Sequence, residues 1–310
     1  MASASEQPVA ESVEFRRLSE LKGSLGWHPG AGLRLGLIFI LCGCGTLLQL
    51  AVLRLVPRYW VRIPRFMSQG VAWLCGVRIT SVGAPARGPV LFVSNHMSWI
   101  DIAVLGARLD ASFVAKKEVG EWGFVATLAR AYRCVFVDRE RRASSGGQRT
   151  EIARRLESGD SLVLFAEGTS TDGSTVYPFK SALFGVAQTL PDLQIQPVTV
   201  SYTHINGMPI SRAQRPLVAW FGDMELTSHV WQVLRLGRIR AVLQFHEPVA
   251  FRQCGSRKEL AERCRQAVAD GLAAANSGRL GGKAIASSGK WDGRSSRAPK
   301  APNEKEYELA

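Results

Sequence analysis

The sequence predicts a mixed α/β fold, a largely parallel sheet flanked by helices, with an N-terminal membrane-binding helical segment ahead of it. Three observations predict it. Between about residues 80 and 276, short apolar runs alternate with stretches of helical period, the pattern imposed by strands joined through crossover helices. Ahead of them, residues 35–53 form an apolar run broken only by Thr46, Gln49 and a few glycines. Several of the later runs empty into short loops carrying His, Glu or Arg, and the carboxyl ends of strands are where open α/β sheets bind ligands.

The first apolar run approaches the ~20 residues that a spanning helix needs. It starts too far into the chain for a cleaved signal peptide and lacks a small-residue cleavage site. Arg34 precedes it, and Arg54, Arg58, Arg62 and Arg65 follow. That arginine excess places the next domain on the cytoplasmic side of an inner membrane. Residues 59–77 mix Trp60, Ile63, Phe66, Val71, Trp73 and Leu74 with those arginines and read as an amphipathic helix in the interface. Strands are expected at 89–94, 112–115, 134–137, 161–166, 194–202, 217–221 and 241–245. Helices are expected at 99–109, 118–131, 146–157, 179–190, 227–236 and 256–275. The last opens on Ser256-Arg257-Lys258-Glu259, which resembles a capping box. The chain thus divides into a loosely ordered lead (1–29), membrane-binding helices (30–78), an α/β domain (79–276) and a disordered basic tail (277–310) rich in Gly, Ser, Lys and Arg.

Lys and Arg number 39 against 26 Asp and Glu, a net charge of +13, which calls for an anionic partner. No zinc finger, RNP pattern or helix-turn-helix spacing accompanies the charge. Anionic membrane lipids are therefore the expected partner, and nucleic acid is not. The mean hydropathy of +0.01 excludes a multi-span membrane protein. The six cysteines (Cys42, Cys44, Cys75, Cys134, Cys254 and Cys264) show no CxxC pairing. That argues against a zinc site and against a secreted disulfide framework.

Three segments carry chemistry. The strand at 89–94 ends in Asn95-His96-Met97-Ser98-Trp99-Ile100-Asp101. Five residues of separation put two helical side chains about 140° apart, at ~100° per residue. His96 and Asp101 therefore meet only if His96 lies in the loop and Asp101 reaches back from the first helical turn. A carboxylate on Nδ1 would fix the tautomer and leave Nε2 to take a proton. The strand at 161–166 runs into Glu167-Gly168-Thr169-Ser170-Thr171-Asp172-Gly173, a loop able to present backbone N–H groups to an anion. Phe136-Val137-Asp138-Arg139 delivers an arginine at a strand end, suited to phosphate or carboxylate.

In this order the segments resemble the glycerolipid acyltransferase family, which includes the 1-acylglycerol-3-phosphate acyltransferases. Its NHxxxxD motif is matched by Asn95, His96 and Asp101, and its FVDR-type motif by Phe136 to Arg139, with Arg133 where a glycine is expected. Its FPEGTRS motif appears as Phe165-Ala166-Glu167-Gly168-Thr169-Ser170-Thr171, and its strand proline as Pro197. The resemblance covers roughly residues 85–250. It implies a fatty acyl donor carried as a thioester on acyl carrier protein or coenzyme A, a lysolipid acceptor, and no metal or diffusible cofactor. It implies His96 as general base with Asp101 as its orienting partner. It also implies an acceptor site of Arg139, Glu167, Gly168, Thr169 and Ser170, with Lys116 of the Ala115-Lys116-Lys117-Glu118-Val119 segment near the headgroup.

One departure bears on the acceptor. The arginine that usually follows EGT is Ser170, with Asp172 close behind, which weakens a phosphate site and tolerates a cationic headgroup. The segment from Glu167 onward also resembles the bacterial lyso-ornithine lipid acyltransferases, whose acceptor carries an amine and a carboxylate and no phosphate. Lys116, Arg139 and Lys180 remain available to hold a phosphate, so 1-acylglycerol-3-phosphate and lyso-ornithine lipid both stand as expected acceptors. Two other classes are weighed. A non-enzymatic membrane adaptor explains the apolar N-terminus and the charge but not the His96, Asp101 and Glu167 loops. A hydrolase acting on acyl esters lacks a GxSxG nucleophile.

Overall fold

The computed structural model describes residues 28–137 and 145–280. Most of the expected lead and basic tail, together with Arg139, lies outside them. The chain opens with helices α1 (Pro29–Leu55) and α2 (Arg62–Leu74). Eight strands follow: β1 (Val77–Val82), β2 (Val90–Ser94), β3 (Ala111–Lys116), β4 (Val135–Val137), β5 (Ser161–Phe165), β6 (Gln194–Ile205), β7 (Met208–Pro209) and β8 (Ile239–Phe245). Helices α3 (Ile100–Gly106), α4 (Gly123–Ala131), α5 (Ser145–Glu157), α6 (Val186–Thr189), α7 (Leu226–Arg235) and α8 (Arg257–Asn276) connect or cover them.

The sheet runs β1-β8-β6-β2-β5-β3-β4, with β7 folded back on β6. From β6 to β4 all pairings are parallel, whereas β8 is antiparallel to β6 and carries β1 parallel to itself. The mixed, largely parallel sheet expected from the sequence is therefore present. β2 and β5 are buried at every position, because helices cover both faces; continuous apolar runs are the sequence trace of that burial. One edge collects the carboxyl ends of β2, β3, β5 and β6 and the amino ends of β1 and β8.

Several expectations are corrected. The interfacial helix read over 59–77 stops at Leu74, and β1 takes the residues after it. Gly76 makes the switch with φ +76, where an added Cβ would sit 1.8 Å from the Gly237 carbonyl oxygen. The division placed between residues 78 and 79 thus falls inside a strand. α2 also contributes to the core, with Met67, Ser68 and Ala72 buried and its face set against α3. The strand expected at 217–221 is a 3-10 turn, Arg212–Leu217, followed by loop. Its apolar Val218 and Ala219 are buried and the Trp220 N–H donates to the Met97 carbonyl at 2.7 Å, so they close the back of a loop instead of joining a ladder. The helices expected at 118–131 and 179–190 each begin with a 3-10 turn, and only Gly123–Ala131 and Val186–Thr189 are α-helical.

α1 has 27 residues and is long and apolar enough to cross a membrane. It is nevertheless docked along one side, on α2, α4 and α7. Arg34 Nη1 donates to the Leu234 carbonyl at 2.9 Å. Gln49 Nε2 donates to the carbonyls of Trp60 at 3.0 Å and Ala131 at 3.1 Å. The opposite side exposes more than half of Leu33, Phe39, Ile40, Leu47 and Leu48, a surface suited to lipid. The combined variant Leu47→Gln/Leu48→Gln is expected to move protein from membrane to soluble fractions with an unchanged circular dichroism spectrum. Gln49→Ala, which strands two buried carbonyls, is expected instead to lower stability by about 1–3 kcal/mol, read by denaturant unfolding in detergent.

Candidate active site

β2 ends at Ser94, and Asn95 continues its pairing by side chain: Nδ2 donates to the Val200 carbonyl at 3.0 Å and Oδ1 accepts the Val200 N–H at 2.9 Å. Clamped there on β6, the chain turns sharply and places His96 in a loop before α3 begins. Asp101, in the first turn of α3, points back into that loop. Its Oδ2 accepts from His96 Nδ1 at 2.8 Å and from the backbone N–H groups of Met97 at 2.7 Å and Ser98 at 2.9 Å. Its Oδ1 accepts from the Tyr202 hydroxyl at 2.7 Å. The carboxylate is fully buried, and an unpaired charge there would cost several kcal/mol; four donors, three from the loop after β2 and one from β6, offset this. Burial first, and then the Asp101 charge, push the Tyr202 hydroxyl well above its ordinary range, so it remains a proton donor.

The His96 side chain is 18% exposed and its ring stacks on Phe165 with centroids 4.0 Å apart. Nδ1 is held by Asp101, which leaves Nε2 as the ring nitrogen that this carboxylate does not engage.

β5 delivers the second loop against the first. The Glu167 carboxylate is buried; Oε1 accepts the His96 N–H at 2.8 Å and Oε2 the Tyr177 N–H at 2.7 Å. Both oxygens are thus occupied by backbone, and Glu167 ties the loops together where the sequence placed it among acceptor contacts. Burial raises its pKa to about 7, against the lowering effect of those two bonds. Gly168 has φ +75, and Lys180 Nζ lies 2.7 Å from where a Cβ would be, which brings a cation over this turn. Thr171 N–H closes the contact by donating to the His96 carbonyl at 2.9 Å. Thr169 is exposed and Ser170 half-buried, so the side chains of these two reach the surface of the loop. Asp172 is engaged within its own turn: Oδ1 accepts the Ser174 N–H at 2.8 Å and Oδ2 the Ser174 hydroxyl at 2.7 Å.

Lys116 ends β3 on the same sheet edge and pairs with Glu118 at 3.4 Å. Arg139 is outside the described residues. Among the described residues, no cluster of His, Cys, Asp and Glu has the placement of a metal site. Sequence reasoning missed Tyr202, which lies 101 residues from Asp101. It sits where the β6–β8 register shifts between Tyr202 and His204, and bulges of this kind re-aim side chains. The polar alternation of a strand gives no sign of that.

A partly exposed histidine held by a fully buried carboxylate on the carboxyl edge of a mixed sheet, faced by a Glu-Gly-Thr loop, is the arrangement that similarity to known proteins places in an acyltransferase family. Residues 78–201 match the Acyltransferase family model. The chain is 44% identical over 238 residues to the Lyso-ornithine lipid O-acyltransferase of Brucella abortus, covering 74% of this chain and 89% of that protein. It is 39% identical over 231 residues to the Lyso-ornithine lipid O-acyltransferase of Rhizobium meliloti, covering 71% and 78%. A 1-acyl-sn-glycerol-3-phosphate acyltransferase of Neisseria gonorrhoeae is 28% identical over 167 residues, 53% of this chain and 63% of that one. The protein belongs to this acyltransferase family.

The Glu167 shift generates a pH prediction. Its folded-state pKa of about 7 lies above the ordinary 4.5, so the folded chain binds this proton more tightly than the unfolded chain. The associated stability is full below about pH 4.5 and is lost as pH rises through about 7. Glu167→Gln cannot titrate. The stability difference, wild type minus variant, is therefore expected to fall between these two pH values and to level off above them. Denaturant midpoints measured across the range check this; parallel curves would place the carboxyl in water.

Proposed function

We propose that the protein is a lysolipid O-acyltransferase, acting at the cytoplasmic face of the inner membrane, that moves a fatty acyl group from a thioester to the hydroxyl of lyso-ornithine lipid. The observation that carries the chemistry is the 2.8 Å contact between His96 Nδ1 and the fully buried Asp101. In this reading His96 Nε2 takes the acceptor's hydroxyl proton as the oxygen attacks the thioester carbonyl carbon. The carbonyl re-forms, the C–S bond breaks, and the departing thiolate takes the proton from the imidazolium. An ester and a free thiol result, and His96 returns neutral. Acyl carrier protein and coenzyme A both present the required thioester, and assay with each decides the donor.

Two facts support lyso-ornithine lipid over lysophosphatidate. The relatives at 44% and 39% identity carry that name, against 28% for the phosphate-acceptor relative. Ser170 also stands where phosphate-acceptor sites of this family type place a guanidinium. Lys180, above Gly168, suits the ornithine carboxylate, while the loop offers no arginine to a phosphate. Side-by-side assay of purified enzyme tests the assignment. A higher kcat/KM for lysophosphatidate would overturn the acceptor and leave the chemistry standing.

His96→Ala is expected to lower kcat by ~10²–10⁴, the usual contribution of a positioned base, without releasing the protein from membranes. Asp101→Asn follows closely through the wrong tautomer, and Tyr202→Phe has the smallest effect of the three. Activity above about a tenth of wild type in His96→Ala rules out the general-base role, given the same range. For the headgroup, Ser170→Arg is expected to raise kcat/KM for lysophosphatidate and lower it for lyso-ornithine lipid, by placing a second cation beside the ornithine amine. Specificity is a ratio of kcat/KM values; equal falls for both acceptors would show that Ser170 does not read the headgroup.

A further inference from the structure

A cavity of about 1120 Å³ lies away from His96, between the first turns of α1, the end of α2 and the β1–β8–β6 corner of the sheet. One wall is apolar: Leu33 and Leu37 of α1 with Trp73 of α2. The other is basic. Arg78 of β1 and Arg240 of β8 are in-register partners, Arg240 is in turn the partner of His204 on β6, and Arg238 and Arg34 complete the wall. Adjacent strands lie only about 4.8 Å apart, and like charges directly opposite each other destabilise a sheet. Among the described residues, no Asp or Glu side chain lines the cavity. Burial, and secondarily the charge of Arg240, lower the pKa of His204, which favours its neutral form, so the positive potential of the row comes from its arginines, with no carboxylate among the described lining residues.

Such a row is stable when an anion completes it. The nature of the anion follows from the opposite wall. Leu33 belongs to the lipid-suited side of α1, and Trp73 is 62% exposed at a position where an indole sits well at headgroup depth. A small water-soluble anion uses only the arginines. An acidic protein would have to approach through the side where α1 offers its leucines. An amphiphile with an anionic head uses both walls. We propose that this cavity binds the phosphate-bearing headgroup of an anionic membrane lipid, with Arg78, Arg238 and Arg240 on the phosphate and Leu33, Leu37 and Trp73 along an acyl chain. The amino ends of β1 and β8 lie on the same sheet edge as the carboxyl end of β2. A lipid held here would keep the edge that carries His96 at the level of the headgroups. The inference does not depend on which acceptor or donor the enzyme uses.

The test uses the full chain in nonionic detergent, titrated with dihexanoyl phosphatidylglycerol, dihexanoyl phosphatidylcholine and inorganic phosphate, with melting temperature as the readout. Phosphatidylglycerol is expected to raise it, and the other two are not at equal concentration. Arg78→Gln/Arg240→Gln is expected to weaken phosphatidylglycerol at least ~10-fold, the scale of one lost charge-assisted contact. The charge-matched Lys258→Gln/Arg263→Gln is expected to leave it unchanged. Removing a like-charge pair predicts that the ligand-free Arg78→Gln/Arg240→Gln protein melts no lower than wild type. Arg238→Gln alone provides a second variant with the same expected direction. Equal phosphatidylglycerol affinity in wild type and both cavity variants overturns the proposal. So does an equal response to phosphatidylcholine, which would mark a plain apolar groove, or to inorganic phosphate, which would mark an anion site without lipid. Loss of cross-linking to acyl carrier protein in the variants, with phosphatidylglycerol affinity intact, would make the surface a protein dock and overturn it equally.

Discussion

A carboxylate with no exposed surface must find donors within the protein, and Asp101 finds four. Two are backbone N–H groups of the loop it caps, one is the histidine of that loop, and one is a tyrosine hydroxyl from β6. Each donor restricts the others. The two N–H bonds set the curvature of the Met97–Ser98 turn, the turn sets where His96 stands, and Tyr202 keeps the carboxylate from rotating out of its plane. Because a half-satisfied buried network is worse than an apolar one, the local fold here has little room to vary. The Asn95 clamp on Val200 and the Glu167 bridge to His96 and Tyr177 extend that restriction to β6 and to the loop after β5.

The reversal of β8 and β1 relative to the parallel strands determines what shares an edge with this network. Had the sheet remained parallel throughout, the amino ends of β1 and β8 would lie on the far side. In the mixed sheet they stand beside the carboxyl ends of β2 and β6, together with the arginines they carry. One edge thus holds the histidine, the Glu-Gly-Thr loop and a row of arginines, and α1 and α2 set Leu33, Leu37 and Trp73 against that row. At the cavity the basic row and the apolar side chains Leu33, Leu37 and Trp73 line the same space.

Much of the fold was legible because burial writes itself plainly into composition. β2 and β5 are covered on both faces and read as unbroken apolar runs; α8 announces itself with Ser256, whose hydroxyl accepts the Glu259 N–H at 3.2 Å. Where the reading failed, the competing signal was one of context. Residues 77–82 are half-exposed over most of their length and carry Arg78, so β1 lacks the continuous apolar run that marks β2 and β5 and is absent from the strands the sequence predicts. Val218 and Ala219 are apolar for the sake of plugging the back of the Met97 loop, and a short apolar run does not say whether it pairs or plugs.

By itself the sequence determined the class of the fold, the apolar helix at its start and the spacing that lets a loop histidine meet a carboxylate from the next helical turn. These are local properties, set by periodicity, strand-end residues and a separation of five positions. Only the tertiary structure decided that Glu167 braces two backbones, that Tyr202 completes the Asp101 network, and that Arg78, Arg240 and His204 stand in one row. The physical reason is the same in each case. Hydrogen-bond satisfaction and cross-strand register join residues far apart in the chain, and nothing in the local sequence records which distant donor or charge will fill the remaining place.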